Sequence, residues 1–576
     1  LIAYLNETLL SKIQRRTKII DTRKINEPNI QRKINTEMAE AIVEAYIPDD
    51  NVETTRQKFN SILLKCLTTH CGTTFKRGTE KKRTAWWNNE VKEAIKIKKE
   101  LYKTWIRSRS EDDYDKYRLA RQTSARVIKQ EKEKSWTMYG ENLSRLCVES
   151  SRQFYKAIAK MRIRDEPFQP SEYINDSQGK PIHEEVKIRE RWEEYFKDLL
   201  NIPDTGNKTS FKPRHANIEE PEILVSEVRE AIKRSPKNKA AGIDGITAEA
   251  IKACGEIGVT WVHYIFKKAW EERTVPSDWQ KAIIVPIWKK KGKKQDCSTY
   301  RGISLLSHVG KMFARVLEQR IRPIVEPTLS PQQFGFRKGK GCTDAIFALR
   351  QISEKTIEHK NQMNIAFIDQ EKAFDRVNRD ILWDVLENYG IKGTLLDCVR
   401  AIYMESESAI RTSAGLTNWF PVTSGVRQGC VLSPLLFIIY MDSITKIDEA
   451  SLNADQQNEL LFADDQCIFH NNIEQLQEHI NLLNNSCLKY NMKINIQKTE
   501  VMTISREHKD INIQINDQTL KQVREFKYLG SIFTSDSRLD REIETRIQQA
   551  NNITYQLTPI LKHPAIPVVT KRQIIN

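Results

Sequence analysis

Asp464 and Asp465 interrupt an otherwise apolar run, Leu460-Leu461-Phe462-Ala463 before them and Cys467-Ile468-Phe469 after. Neighbouring side chains of a strand point to opposite faces, so the pair cannot share a site in mid-strand. It can at the tip of a tight hairpin with arms Glu459–Ala463 and Gln466–His470. Ionised carboxylates wedged between apolar arms repel each other, and burial raises that cost. A divalent cation removes it, and Mg²⁺ takes one or two carboxylates together with substrate phosphates. An exposed Asp-Asp turn in an ordinary hairpin would use the same residues, so the doublet alone does not decide. A third acid lies upstream, where the apolar strand Asn364-Ile365-Ala366-Phe367-Ile368 ends in Asp369. The competing role for Asp369, a helix N-cap, falls more naturally to Asp375 or Asn378.

Other segments suit phosphate and flat ligands. The apolar strand Ala282–Trp288 runs into Lys289-Lys290-Lys291-Gly292-Lys293-Lys294, and the chain returns through Tyr300-Arg301-Gly302. Arginine forks onto phosphate oxygens, so this is a candidate triphosphate clamp, with a merely solvated charge run as the alternative. Leu329–Gly341 is basic and glycine-rich, fit to approach a phosphate backbone closely. Thr423–Ser433 is a polar loop with two glycines around Gln428, and it opens an apolar helix at Pro434, a favoured early helical position.

The elements that must position these groups come from a chain of 576 residues, long enough for about three or four domains. Its net charge of +16 favours a polyanionic partner, nucleic acid ahead of a membrane surface. The best apolar run, Val431–Met441, is broken by Pro434 and falls short of the ~18 residues a membrane span needs. No signal peptide pattern is present. Ten cysteines without a CxxC pair read as reduced thiols of an intracellular protein. Cys66, His70 and Cys71 lack a fourth ligand for zinc. The chain opens on Leu and closes inside a helical pattern, which reads as a fragment of a longer polypeptide.

Residues 1–75 are polar and helical in pattern, without recognisable chemistry. Residues 76–168 carry 25 Lys and Arg against 14 Asp and Glu, a net +11 out of the chain's +16. Trp86, Trp87, Tyr102, Trp105, Tyr114, Tyr117, Trp136 and Tyr139 are interleaved with them. Long basic helices studded with aromatics suit backbone contact and base stacking; a solvated helix pair whose aromatics face a core fits equally. Residues 169–220 read as a proline-rich linker with one helix near His183–Leu200. From Ile223 the texture is that of a compact domain, with helices over Val309–Ile321, Arg379–Tyr389 and Ile473–Tyr490, a short strand at Met492–Ile496, a hairpin over Phe526–Phe533 and a helical region from Arg541.

In order, KAAGIDGIT, IVPIWKK, YRGISLL, LSPQQFGFRKGKG, FIDQEKAFDRV, SGVRQGCVLSP, LFADDQCIF, INIQKTE and YLGSIF resemble the reverse transcriptases of non-LTR (long interspersed element type) retrotransposons. The likeness is dense from about Ile223 to Phe533. The segment around Trp86-Trp87 also looks like the region such proteins carry between an upstream endonuclease and the polymerase. Ala241, Ile243 and Gly302 depart from prolines common in the family.

The resemblance implies an α+β right-hand polymerase, with fingers, an antiparallel palm sheet and a partial thumb, preceded by a mostly helical basic region. The N-terminal extension and fingers would occupy 221–345, the palm 346–505, and the primer-grip hairpin with a truncated thumb 506–576. The activity implied is RNA-directed DNA synthesis, copying element RNA from a DNA primer end by two-metal-ion nucleotidyl transfer. Asp369, Asp464 and Asp465 would hold two Mg²⁺ ions, with Mn²⁺ as an alternative, and Lys498 would be the general acid. Lys289, Arg301, Phe374, Gln428 and Gly429 would bind the dNTP. Phe374 would lie under the sugar and exclude a 2′-hydroxyl, unless it is a core phenylalanine. Arg337, Tyr528, Leu529 and Gly530 would meet template or primer. The implied partners are an RNA template, a DNA primer or target and dNTPs, without a membrane, and the implied site of action is the nucleus after cytoplasmic synthesis. Two other readings stay open. One is a catalytically silent or co-opted element copy that binds nucleic acid; the other is a group II intron maturase.

Overall fold

Met363–Ile368 is buried at every position, as a strand covered on both faces must be. It is the centre of a five-stranded sheet in the order Glu459–Phe462, Asp465–His470, Met363–Ile368, Glu500–Ile504, Lys521–Gln522. All pairings are antiparallel except the last. Alternation divides its side chains between two cores. Ala366, Ile368, Ile468 and Val501 face the larger core, with Leu476, Ile480 and Leu483 of helix Ile473–Lys489 and the apolar helix Ser433–Ser451. Ile365, Phe367, Cys467 and Met502 face a smaller one, with Ala345 and Leu349 of helix Cys342–Glu358 and with Tyr528 and Phe533.

The computed structural model describes residues 18–20, 24–45, 47, 49–75, 85–161, 173–202, 220–451, 458–507 and 509–575. The chain divides into two units, residues 1–75 with 170–541 and residues 76–169 with 542–576. The first unit carries a second sheet besides the one above. In it, strand Lys281–Trp288 pairs antiparallel with Tyr300–Leu305 and parallel with Glu407–Thr412. Helix Glu185–Leu200, expected inside a linker, is a covering layer of this sheet. Its Trp192 and Phe196 pack with Ile284, Tyr300 and Ile410. Gly302 explains itself here: a β-carbon at this position would stand 2.7 Å from Phe196 Cε1.

The amino-terminal helices Pro28–Ala45 and Val52–Cys71 share the main core with helix Gly255–Glu272. Arg56 is 1% exposed. Its guanidinium donates to Asp244 at 2.7 Å and lies 3.1 Å from Asp278. The first helices thereby hold the turn that leads into Ala248–Ala253. Cys66 and Cys71 are buried and in no disulfide, and His70 pairs with Glu37 at 2.6 Å. Zinc ligation by this trio has no support in that arrangement.

In the second unit, helices Asn89–Ser108 and Glu111–Glu149 form a hairpin. Asn88 and Ser110 cap them by accepting from Val91 N and Asp113 N. Tyr102, Trp105, Tyr114 and Tyr117 pack on one another, Trp105 stacked on Tyr117 at 5.7 Å. Those rings line the hairpin seam, with Tyr102 44% and Tyr114 41% exposed. Leu143, Phe154 and Ile158 make a core with Leu557, Ile560, Ile566 and Ile574. Residues beyond 541, read in sequence as thumb, are thus grouped with the basic helices. No helix among the described residues is long and apolar enough to cross a membrane.

Candidate active site

Phe462 pairs with Asp465, so Ala463 and Asp464 are the two residues of a hairpin turn. Ala463 has φ +60°, and Asp464 does not share that sign. This is the type II′ pattern, which favours glycine at the first position. Such strain persists where the surroundings over-determine it, and residues 332–335 do so. Phe334 N donates to Leu461 O at 2.8 Å, and Leu461 N to Gln332 O at 3.0 Å. Gln333 Oε1 accepts from both Gly335 N and Ala463 N. A β-carbon on Gly335 would lie 2.5 Å from Ala463 N. The glycine expected to approach a phosphate backbone approaches this turn instead.

Gln466 pairs with Ile368 across the next strand boundary. Asp465 and Asp369 are therefore adjacent at the end of the sheet, on the face that carries Cys467 and Phe367. Burial pushes both doublet carboxyls up, and repulsion by Asp369 adds to each; Asp465, repelled also by Asp464, reaches about 6. Asp369 is fixed through its backbone, its N–H donating to Thr499 Oγ1 and its carbonyl accepting from Asn495 N at 2.8 Å. Lys498 Nζ donates to Asp369 Oδ2 at 3.1 Å. The expected strand at Met492–Ile496 is only a single bridge, Gln370 to Ile494, followed by the turn that presents Lys498. The all-oxygen donor set suits a hard cation such as Mg²⁺. No three acid, histidine or cysteine side chains among the described residues already close around an ion position.

Cations face these acids. Lys289 donates to Ser298 O at 3.1 Å, and burial together with Arg301, Lys498 and Lys372 pushes its amine down. Arg301 and Lys498 in turn act on Asp464. Lys372, held at φ +51°, was not singled out from the sequence, although it lies inside the FIDQEKAFDRV stretch. Mutually repelling cations beside mutually repelling carboxylates form a site that a metal-bound polyphosphate would neutralise.

The loop that carries Gln428 and Gly429 is held from behind. Ser304 N donates to Gln428 O at 3.0 Å, and a β-carbon on Gly429 would stand 2.9 Å from Ser304 O. Two buried arginines fix the loop's backbone. Arg379 donates to the carbonyls of Tyr403, Val422, Ser424 and Gly425. Arg427 donates to those of Trp279, Gln280 and Ile402 and to Ser406 Oγ. Burial pushes Arg379 down to about 9. Neither role was read from the sequence, where nothing marks an arginine whose partners are distant carbonyls.

Phe374 stacks on Phe437 at 4.2 Å and 16°, and part of its ring stays open. Two residues differ from their expected roles. Arg337 is tied by its guanidinium to Glu326 Oε1 at 2.7 Å, to Glu326 O and to Ser330 O. It braces the 326–337 segment, and these internal bonds occupy the donors that a template would need. Tyr528 is 2% exposed, packed near Phe367 and Phe533. At the tip of its hairpin Leu529 and Gly530 have φ +47° and +97°, the type I′ signature.

A family model described as reverse transcriptase (RNA-dependent DNA polymerase) matches residues 288–533. A probable RNA-directed DNA polymerase from transposon BS of Drosophila melanogaster is 29% identical over 338 residues, 55% of this chain and 36% of that protein. A probable RNA-directed DNA polymerase from transposon X-element of the same organism is 28% identical over 56% of this chain and 36% of its own length. The RNA-directed DNA polymerase from its mobile element jockey is 25% identical over 57% and 37%. The chain thus spans little more than a third of these relatives. Among solved structures, a telomerase chain from Candida albicans has a TM-score of 0.37 at 10% identity, covering 61% of this chain and 72% of that chain, too loose a likeness to add to the family match.

Proposed function

We propose, from the match of residues 288–533 to the family model described as reverse transcriptase (RNA-dependent DNA polymerase), that the chain is the polymerase part of a non-LTR retrotransposon protein. It copies RNA into DNA by extending a DNA primer end. What supports the reading is the mutual repulsion of Asp369, Asp464 and Asp465 near one sheet end, with Lys289, Arg301, Lys372 and Lys498 acting on one another or on those acids.

Two Mg²⁺ ions held by the three aspartates, with Mn²⁺ as an alternative, would supply activation of the attacking hydroxyl and stabilisation of the leaving pyrophosphate. Lys289 and Arg301 bind the triphosphate, and Lys372 adds a charge on its other side. Lys498 delivers a proton to the pyrophosphate oxygen as it departs. The open edge of Phe374, kept in place by Phe437, blocks a 2′-hydroxyl. Gln428 and Gly429 line the base and sugar, and Leu529-Gly530 steadies the primer terminus. The partners are an RNA template, a DNA primer and dNTPs, and the site of action is the nucleus, where target DNA is found.

The test is primer extension on poly(rA) with oligo(dT), dTTP and Mg²⁺. The chain extends the primer, and Asp464→Asn removes nearly all synthesis while leaving nucleic-acid affinity close to that of the unaltered chain. Nucleic-acid binding without any extension by the unaltered chain would favour a co-opted binding protein instead.

A further inference from the structure

Gln428 Nε2 donates to Asp375 Oδ1 at 3.1 Å. We propose that Asp375 is a positioning residue for the nucleotide site, fixing which edge of the Gln428 amide is turned toward the incoming dNTP. The inference rests on the polymerase reading above.

An amide side chain presents two donors on nitrogen and an acceptor on oxygen, and a half-turn exchanges them. An ionised carboxylate only accepts, so Asp375 selects the orientation in which Nε2 faces it. The rest of Gln428 is already fixed, its carbonyl by Ser304 N and its neighbour Gly429 by contact with Ser304 O. The side-chain torsion is the freedom that remains, and Asp375 removes it.

The backbone prepares this contact. Val426 N donates to Phe374 O at 2.9 Å, Gly425 N to Val377 O at 2.8 Å, and Ser424 Oγ to Asp375 O at 3.3 Å. A β-carbon on Gly425 would lie 2.8 Å from Asp375 O. Segments 374–377 and 424–428 are therefore stitched edge to edge, and the side-chain bond extends the seam to the nucleotide side. Through it, the residue next to the sugar-facing Phe374 governs the residue that faces the base.

Asp375 is not otherwise needed where it stands. The following helix is capped by Asn378, which accepts from Asp380 N and Ile381 N. Among the described residues, no lysine or arginine forms an ion pair with Asp375. Lys372 and Lys289 act on it only at longer range, and Tyr195 of helix Glu185–Leu200 lies near enough to feel its charge. An enclosed carboxylate with a single side-chain donor is costly unless that bond is used.

The experiment is a double-mutant cycle in single-nucleotide primer extension, reading KM for dNTP and kcat separately. Asp375→Ala raises KM about tenfold, the equivalent of one lost hydrogen bond, with kcat changed by less than a factor of about two. In a Gln428→Ala background the same substitution adds less than a factor of about two. Asp375→Asn, whose Oδ1 still accepts from Nε2, recovers most of the lost affinity, and it serves as the test variant should Asp375→Ala fail to melt like the unaltered chain. An unchanged KM in Asp375→Ala would overturn the proposal. So would an undiminished effect in the Gln428→Ala background, or an Asp375→Asn variant as impaired as Gln428→Ala. No extension by the unaltered chain would overturn the polymerase reading and this inference together, whereas normal extension with any of the preceding results overturns the inference alone.

Discussion

Lys498 Nζ stands 3.1 Å from Asp369 Oδ2, so the cation offered for proton delivery occupies an oxygen that a metal ion would claim. Its own surface is 67% exposed, which leaves it free to swing toward a phosphate once Asp369 takes another partner. Lys498→Ala should lower kcat by roughly 10²–10⁴-fold, the usual worth of a general acid, with KM for dNTP near that of the unaltered chain. Lys498→Arg keeps the charge but cannot deprotonate, and it should stay slow. Pre-steady-state single-turnover rates check both. A change confined to KM would make Lys498 a counter-ion only.

The acid cluster destabilises the protein that holds it. Asp465 is raised to about 6 by burial and by Asp464 and Asp369, so the folded state binds a proton more tightly than the unfolded one, whose carboxyl titrates near 3.9. Stability is therefore lost as pH rises from about 4 to about 6 and stays lost above that. In metal-free buffer Asp465→Asn should melt higher than the unaltered chain at pH 7.5, with no gain at pH 4. Water reaches the side chain, which discounts the effect to on the order of 1 kcal/mol. Added Mg²⁺ should raise the melting temperature of the unaltered chain more than that of the variant. Thermal melts at the two pH values, with and without Mg²⁺, read all of this.

Phe374 touches Phe437 face to face at 4.2 Å, so its ring cannot turn away from a bulkier sugar. Phe374→Ala should increase rNTP use relative to dNTP by roughly 10–100-fold. Ratios of kcat/KM for rUTP and dTTP measure it. Unaltered sugar discrimination would return Phe374 to the role of a core residue.

Gly335 lies against the backbone of the Ala463-Asp464 turn, where an added β-carbon would stand 2.5 Å from Ala463 N. Neither backbone can yield without moving the aspartates. Gly335→Ala should cost about 1–3 kcal/mol and reduce primer extension far more than that stability loss explains. Urea denaturation and extension assays on the same preparation separate the two effects.

The acids were legible because their pattern is local. Apolar alternation forces a strand, two polar residues end it, and an apolar strand ending in Asp369 supplies its neighbour. Sequence also marked Lys289, Arg301 and the Gln428 loop, since charge and glycine stand out in any chain. It did not mark what depends on distant backbone. Arg337 looked free for a template because Glu326 and the carbonyl of Ser330 become its partners only after the chain turns back. Arg379 and Arg427 looked ordinary because their acceptors are main-chain carbonyls, which have no sequence. The burial of Tyr528, which the resemblance implied would meet the primer, was not legible because its hydrophobic neighbours, Phe367 and Phe533, come from two different strands.

The core that joins Leu143, Phe154 and Ile158 to Leu557, Ile560, Ile566 and Ile574 sets a schedule for synthesis. Its first half leaves the ribosome roughly 400 residues before its second, an interval of about 20–80 s at ~5–20 residues per second. Over that interval a basic hairpin waits with an uncovered apolar flank, Gly140 lacking Ile566, whose Cγ2 later lies 3.0 Å from where a β-carbon on Gly140 would stand. A nascent chain in this condition keeps apolar surface in water, which makes it a client for chaperones.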